Sequence, residues 1–190
     1  MLGKKRSSRV IEAINAVNRN NRFHFFPSIR QGRLLWRVTD QKTGSMFKVM
    51  PDHGFTVTDF LSGSGRQLLH YGPDLGKLRG IFLLGPWMNR LDVEAAKGRG
   101  IDIEGLKASD PVFHNIRIDS DGNANHGVLR DLPWTLENVS ETEDAVSLTA
   151  YVDFRTYPFL AGMFGDVVYR VTYTLRGDSL ETALQIENWG

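Results

Sequence analysis

The sequence predicts an all-β fold, an antiparallel sandwich or barrel, preceded by one short helix. Residues 55–60 and 167–175 alternate apolar and polar side chains with the period of a half-buried strand. Turns rich in Gly, Asp and Ser separate the strands, at residues 40–44, 62–65, 119–122 and 176–178. No alternation of strands with long helical patterns is present, so a doubly wound α/β sheet is disfavoured.

The predicted elements follow one another in a simple order. A mildly amphipathic segment predicts a helix over residues 8–17. The strands that follow are short and lie at residues 34–39, 47–50, 55–60, 67–71, 80–84, 101–104, 112–118, 135–139, 146–152, 167–175 and 180–187. We divide the chain into residues 1–44, a basic extension with the short helix and a first strand, and residues 45–190, the body of a sandwich.

Charge is distributed unevenly along the chain. Residues 1–37 contain nine Lys and Arg against the single Glu12, which leaves fourteen basic and twenty-one acidic residues, a net charge of −7, for the rest. A nucleic-acid-binding protein would carry a basic stripe on its folded body, so we expect no nucleic-acid partner. No apolar run approaches the roughly 20 residues that cross a bilayer. We expect a cytoplasmic protein without a membrane partner, although an organelle transit peptide would also be basic and poor in acids.

Composition and spacing exclude several common kinds of site. Cys is absent, which removes disulfides, thiolate nucleophiles and Cys-ligated metals together. Gly63 and Gly65 lack the third glycine of a dinucleotide fingerprint, and no Gly-Lys-Ser/Thr of the Walker type occurs. The five His residues show no pair at metal-binding spacing. We therefore expect neither a cofactor nor a metal ion.

Two segments combine the residue types that bind sugars. These segments, residues 85–91 and 123–134, hold the candidate side chains Trp87, Asn89, Arg90, His126, Arg130 and Trp134. A pyranose presents apolar C–H faces that stack on Trp, and hydroxyl groups that Arg, Asn and His bind at fixed angles. The composition of the two segments therefore indicates a sugar site.

Each candidate also has a structural explanation. Trp87 and Trp134 are of a residue type that often belongs to the core, and Arg90 could pair with one of the surplus carboxylates. A loop histidine such as His126 is usually only solvated. The residues alone leave both explanations open.

A series of short motifs runs in a fixed order through residues 45–190. The motifs are Met50-Pro-Asp-His-Gly54, residues 65–72, Gly85-Pro-Trp-Met-Asn-Arg90, Asn125-His-Gly127 with Arg130 and Pro133-Trp134, Tyr157-Pro-Phe159, and Tyr173-Thr-Leu175 to Leu180 and Asn188. This series resembles the aldose 1-epimerase superfamily, the galactose mutarotases, whereas residues 1–44 match only loosely. The resemblance implies a large antiparallel β-sandwich of the galactose mutarotase type, apparently truncated here, that binds a hexose in a cleft without a cofactor.

The resemblance also implies roles for the candidate residues. Arg90 and His126 correspond to the residues that hold sugar oxygens, and His126 is the candidate for a catalytic role. Asn89, Arg130 and Trp134 are further candidates for sugar binding. The reaction needs a base for the proton of the anomeric hydroxyl and an acid for the ring oxygen. In the family these are a Glu and a second His beyond the segment that corresponds to Asn188, so we expect the 190-residue chain to lack both.

One departure from the family bears on the substrate. Typical galactose mutarotases follow their His-Gly with a further Gly and a Gly-Phe-Asp stretch, whereas this chain has Val128-Leu-Arg130 there. That pattern suits the branch that includes epimerases of phosphorylated hexoses. We therefore expect a hexose or a hexose phosphate as partner. A structural domain whose Trp and Arg serve packing only is a third possibility. The preferred function is an aldose 1-epimerase-like isomerase that interconverts sugar anomers, and the alternative is a non-catalytic carbohydrate-binding β-sandwich module. In either case we predict that Arg90 and His126 share one concave face within about 12 Å of each other.

Overall fold

A computed structural model describes residues 2–70 and 80–190, with side chains from residue 9 onward in those ranges. The chain begins with helix α1, Leu2–Arg19, which contains the helix predicted at residues 8–17. Val17 is buried, and Ala13 and Ile14 pack against the same core, because residues three and four apart share one helix face. No helix of the described ranges has the length and apolar character that would let it span a membrane.

The first sheet contains five antiparallel strands in sequential order. They are β1 Phe23–Arg30, β2 Arg33–Asp40, β3 Met46–Met50, β4 Thr56–Leu61 and β5 Gln67–His70. The strands predicted at residues 34–39, 47–50 and 55–60 are confirmed. The prediction at 67–71 is confirmed as far as His70, and residue 71 lies outside the described residues. Strand β1 was not predicted, because Pro27 and a run of aromatic residues hide its alternation.

The second sheet contains four antiparallel strands in the order β11-β10-β9-β8. They are β8 Thr135–Glu141, β9 Ala145–Asp153, β10 Val167–Arg176 and β11 Ser179–Asn188. All four were predicted from sequence. Their clear alternation explains this success, since β9 and β10 bury every second side chain along most of their length.

Aromatic side chains join the two sheets into a sandwich. The ring of Tyr173 in β10 lies 6.4 Å from Phe47 in β3 and stacks on Phe55, which precedes β4, at 5.5 Å. Burial raises the pKa of Tyr173, because its phenolate would have to form in an apolar core. The core therefore lies between the faces of the sheets, as expected for an antiparallel sandwich.

The opposite face of the four-stranded sheet is polar. Hydroxyl groups pair across β9 and β10, with Thr149 and Thr172 at 2.9 Å and Ser147 and Thr174 at 2.8 Å. The guanidinium of Arg170 donates to carboxylates on both sides of β10, those of Glu137 in β8 and Glu187 in β11. This face of the four-stranded sheet is therefore polar and partly exposed to water.

Short helices and a small third sheet fill the connections between the strands. They are β6 Arg90–Asp92, α2 Val93–Lys97, α3 Ile103–Ser109, β7 Asn123–Asn125 and α4 Pro158–Phe164. Strand β6 pairs with β7.

Three strands predicted in these connections are wrong. Residues 101–104 enter helix α3, whose first turn is capped by the carboxylate of Asp102, which accepts from the amide of Gly105 at 3.0 Å. Residues 112–118 contain the end of the 3-10 turn Pro111–Phe113 and only one isolated bridge. Residues 80–84 likewise form a single bridge, between Ile81 and Val57.

Candidate functional site

The two segments that sequence analysis singled out lie against each other. Arg90 in β6 is the pairing partner of Asn125 in β7. The amide of His126, the residue after Asn125, donates to the carbonyl oxygen of Asn89, the residue before Arg90, at 2.7 Å. The backbones of Arg90 and His126 thus lie close together, and the sharing of one concave face by their side chains stays a prediction.

A backbone contact between Gly85 and Gly127 fixes the two candidate segments relative to each other. Gly85 and Gly127 form a parallel bridge, and the carbonyl oxygen of Gly85 accepts from the amides of Val128 and Leu129 at 2.7 and 3.1 Å. A Cβ atom on Gly127 would lie 2.0 Å from that oxygen, and the residue has φ +69°. Only glycine fits there, because both the space and the left-handed conformation exclude a side chain.

Two of the candidate residues also have left-handed backbones. Asn89 has φ 62° and His126 has φ 65°. Asn tolerates this region because its short polar side chain can bond locally, whereas His adopts it less readily. Left-handed non-glycine residues cluster at functional sites, where surrounding contacts hold them in place.

A third motif, residues 50–54, supports the second segment from behind. The amide of Gly54 donates to Leu132 at 2.8 Å, and the amide of Trp134 donates to Pro51 at 2.8 Å. A Cβ atom on Gly54 would lie 2.5 Å from the carbonyl oxygen of Arg130. Three of the motifs in the series thus meet in space, although up to eighty residues separate them in sequence.

The side chain of Arg90 is 58% exposed and faces two carboxylates of the turn before β7. Its Nε lies 3.4 Å from Asp119, and a terminal nitrogen lies 3.7 Å from Asp121. The amide of Asn123 donates to Asp119 and is the main reason that the pKa of this carboxyl lies below its usual value, with Arg90 a smaller cause. Asp119 is therefore a carboxylate at neutral pH.

The ring of His126 is half-buried, with Nδ1 turned into the protein. Among the described residues this nitrogen has no hydrogen-bond partner. A buried polar atom without a partner costs roughly 1–3 kcal/mol, so structures keep few of them. His126 is consequently a residue that packing alone does not explain.

Arg130 is buried and belongs to a second group of charges. Its Nε donates to the carboxylate of Asp131 at 3.2 Å, and Asp131 also lies 3.9 Å from Nε2 of His53. Burial lowers the pKa of His53, and the nearby carboxylate of Asp131 opposes this shift. The sequence motif containing Arg130 is thus anchored to the motif containing His53.

Both tryptophans of the candidate segments lie in the core. Trp134 stacks on Phe55 with ring centroids 6.5 Å apart, and its indole nitrogen donates to the carbonyl oxygen of Leu129 at 3.0 Å. Trp87 stacks on Phe164 and donates to the carbonyl oxygen of Ala124 at 3.2 Å. Their polar atoms are satisfied internally, and neither ring is more than 8% exposed.

Comparison with solved structures identifies the fold. The chain is similar to a galactose mutarotase-like protein from Clostridium acetobutylicum, with a TM-score of 0.58 and 15% sequence identity over 88% of this chain and 49% of the other. It is also similar to galactose 1-epimerase from Lactobacillus acidophilus NCFM, with a TM-score of 0.53 and 15% identity over 87% and 48%. The chain has a galactose mutarotase-like fold.

The fold of the aldose 1-epimerase superfamily, expected from the motif series, is thereby confirmed. The chain spans about half the length of the mutarotase-like structures that it matches. No family model matches the sequence, and no curated protein sequence matches it significantly. The comparison therefore shows a likeness of fold.

Sequence analysis did not find all the charged residues around the candidate site. Asp119 was recognised only as a turn residue, and the partners Asp131 and His53 were not singled out. The available signal was the surplus of acidic residues, but it does not show which carboxylate faces which cation. Across residues 2–70 and 80–190, no group of three or more His, Asp or Glu is arranged to hold a metal ion.

Proposed function

We propose that this chain carries the sugar-binding part of an aldose 1-epimerase-like isomerase, which interconverts sugar anomers by cofactor-free acid–base ring opening. The observation that supports it best is the convergence of Asn89, Arg90 and His126, which the Gly85–Gly127 contact brings together. The solved structures with the same fold include a galactose 1-epimerase, which supports a sugar as ligand. The substrate in this proposal is a hexose or hexose phosphate in the cytoplasm, with neither nucleic acid nor membrane as partner.

Arg90 and His126 have complementary roles in the proposal. The exposed guanidinium of Arg90 donates to sugar oxygens in exchange for part of its contact with Asp119 and Asp121, which surface screening makes weak. The imidazole of His126 meets a sugar hydroxyl through Nε2, since Nδ1 is buried. The amide side chain of Asn89, which is exposed, adds a further donor.

Arg130 and Trp134 remain part of the proposed site. Both side chains are buried in the described structure, so we propose that they hold the segment from His126 to Trp134 in position. A direct contact of either side chain with the sugar would require this segment to move.

Ring opening requires an acid and a base within hydrogen-bond reach of one substrate. Asp119 has a lowered pKa, so it is unsuited to donate a proton at neutral pH, and His126 alone offers one exchangeable proton. We therefore propose that these residues bind the sugar and do not by themselves complete the acid–base pair.

Sugar binding can be measured on the chain by saturation-transfer NMR with galactose, glucose and glucose 6-phosphate. We expect Arg90→Ala to weaken binding about ten- to a hundredfold, because charge-assisted hydrogen bonds contribute roughly 1.5–3 kcal/mol. His126→Asn, which keeps a residue that tolerates positive φ, should also weaken binding. Arg155→Ala is the matched control, since Arg155 is similarly exposed and paired with a carboxylate, that of Asp153.

Equal affinities in all four proteins would contradict the site. The second candidate function is a non-catalytic carbohydrate-binding module, and it is favoured by the absence of an acid–base pair around Arg90 and His126 in the described residues. Polarimetric relaxation of freshly dissolved glucose or galactose separates the two parts of the proposal. Acceleration in proportion to the concentration of this chain would show that the acid and base lie within the 190 residues.

A further inference from the structure

A second cavity lies where the end of α3, the 3-10 turn Pro111–Phe113 and the start of α4 meet. Its volume is about 280 Å³, close to the lower end of the range for small-molecule pockets, roughly 300–1,000 Å³. Phe113, Tyr157, Phe159 and Asp110 contribute to its walls. None of these residues belongs to the proposed sugar site.

The aromatic walls are set at an angle to one another. The rings of Phe113 and Tyr157 have centroids 5.5 Å apart and planes inclined by 66°. The ring of Phe159 lies against the backbone of α3, since a Cβ atom on Gly105 would approach its Cζ to 2.5 Å. Two rings inclined in this way form an aromatic corner, whereas a pyranose stacks on one flat and open ring face.

The polar atoms of the cavity are left mainly as hydrogen-bond acceptors. The hydroxyl of Ser109 already donates to the carbonyl oxygen of Leu106 at 2.8 Å, and that of Thr156 donates to Asp153 at 2.7 Å. One oxygen of Asp110 accepts from the amide of Val112 at 2.9 Å. An anion, which needs donors from the protein, is therefore poorly matched, whereas a cation is matched in charge.

The negative charge of Asp110 has no ion-pair partner among residues 9–70 and 80–190. In the described part of the chain its carboxylate forms no ion pair, unlike those of Asp119, Asp131 and Asp153. Burial and, to a smaller extent, this carboxylate raise the pKa of Tyr157, which is consistent with Asp110 facing the aromatic corner. An uncompensated carboxylate beside aromatic faces attracts positive charge.

We propose that this cavity binds a small organic cation of the methylated ammonium class. The methyl groups of such a cation pack against the rings of Tyr157 and Phe159, whose faces are negative, while the buried ring of Phe113 supports Tyr157 and Asp110 supplies the opposite charge. A methylated ammonium also carries few or no N–H groups that need acceptors, which suits a largely apolar cavity.

Choline and its uncharged isostere 3,3-dimethylbutan-1-ol separate charge recognition from simple apolar packing. We expect saturation-transfer NMR titrations of the 190-residue chain to show choline binding at least about tenfold more tightly than the isostere, as cation–π attraction and the carboxylate together predict. Asp110→Asn should remove about tenfold of the choline affinity while the Asn side chain still caps the 3-10 turn. Phe159→Leu should weaken choline binding several-fold, because it removes one exposed aromatic face.

Asp92→Asn is the matched control, since Asp92 also caps a helix but does not line the cavity. Its choline affinity should equal that of the unmodified chain, and circular dichroism should show that all variants keep their strand content. Equal binding of choline and the isostere, absence of choline binding, or displacement of choline by galactose would each overturn the proposal.

Discussion

Strands β10 and β11 are adjacent in one sheet, have ten residues each and pair along their whole length, yet their environments differ. The core-facing residues of β10 are all buried, namely Tyr169, Val171, Tyr173 and Leu175. Their partners in β11 lie on the same face of the sheet, and two of them, Leu184 and Ile186, are 47% and 55% exposed. The apolar face of the sheet is thus covered at β10 and open at β11.

The two strands do not differ in their pattern, since both alternate apolar and polar residues. They differ in whether the five-stranded sheet packs against their apolar face. The five-stranded sheet places Phe47 and Phe55 against Tyr173 of β10, whereas β11 forms the sheet edge. Alternation therefore predicts a strand and its apolar face, but it does not predict whether another layer covers that face.

The largest expected effect compares one leucine in each strand. Leu175→Ala should lower the free energy of unfolding by about 2–5 kcal/mol, because it opens a cavity in the covered part of the core. Leu184→Ala should change it by no more than about 0.5 kcal/mol, because water already reaches this side chain. Urea denaturation followed by circular dichroism measures both. Equal losses would mean that β11 is covered in solution.

A second experiment tests the open face by self-association. We expect the chain to associate through the edge and apolar face of β11, because an unpaired strand edge is a template for further pairing. Replacing Leu184 and Ile186 by Lys should reduce association in light scattering without a matching loss of stability. Gln185→Lys is the control, since it adds charge on the other face of the strand. An unmodified chain that remains a monodisperse monomer would contradict the expectation.

A third test extends the comparison from leucines to a partly buried histidine, His53. The pKa of His53 is lowered by burial from its unfolded value of 6.5, so the unfolded state binds the proton more readily between the two values. The stability contributed by neutral His53 is therefore present at pH 7.5 and is lost as pH falls below 6.5, by up to about 1.4 kcal/mol per pH unit. His53→Gln should flatten this part of the stability–pH curve, and an unchanged slope would show that His53 is not buried.

The smallest effect is expected on the polar face of the four-stranded sheet, where ion pairs connect β10 to both β8 and β11. Arg170 pairs with Glu137 on one side and Glu187 on the other, and all three side chains are partly exposed. Glu137→Gln and Glu187→Gln should each cost no more than about 1 kcal/mol, less in high salt, because water screens such pairs. Thermal unfolding at two salt concentrations measures this. A much larger loss for Glu187→Gln would show that β11 depends on this contact to stay paired.

The strands were predictable from sequence where alternation was strong, and the failures have local causes. At residues 101–104, Ile101 and Ile103 suggested a strand, but Asp102 caps a helix by accepting from the third amide ahead. Strand β1 contains Pro27 and exposes Phe26, so its pattern is irregular. In the first case capping overrides β propensity, and in the second an edge strand forms although its alternation is irregular.

The candidate site was predictable as two segments of suitable composition, and the motif order joined them. Neither signal could show that Gly85 and Gly127 touch, that Asp119 faces Arg90, or that Trp134 lies in the core. Those facts depend on chain reversals between β6 and β7, and no residue pattern encodes the partner of a turn carboxylate.

The pairing of β6 with β7 also has a kinetic consequence. Each strand has only three residues, and their pairing closes a loop that contains residues 93–122. Closing a loop of this length costs entropy before any contact compensates for it, so this pair should form late in folding and open early. The amide hydrogen of His126, bonded to the carbonyl oxygen of Asn89, should accordingly exchange with deuterium faster than amides in the centre of β10. The residues proposed to bind the sugar would thus open and close by local unfolding, while the sandwich stays folded.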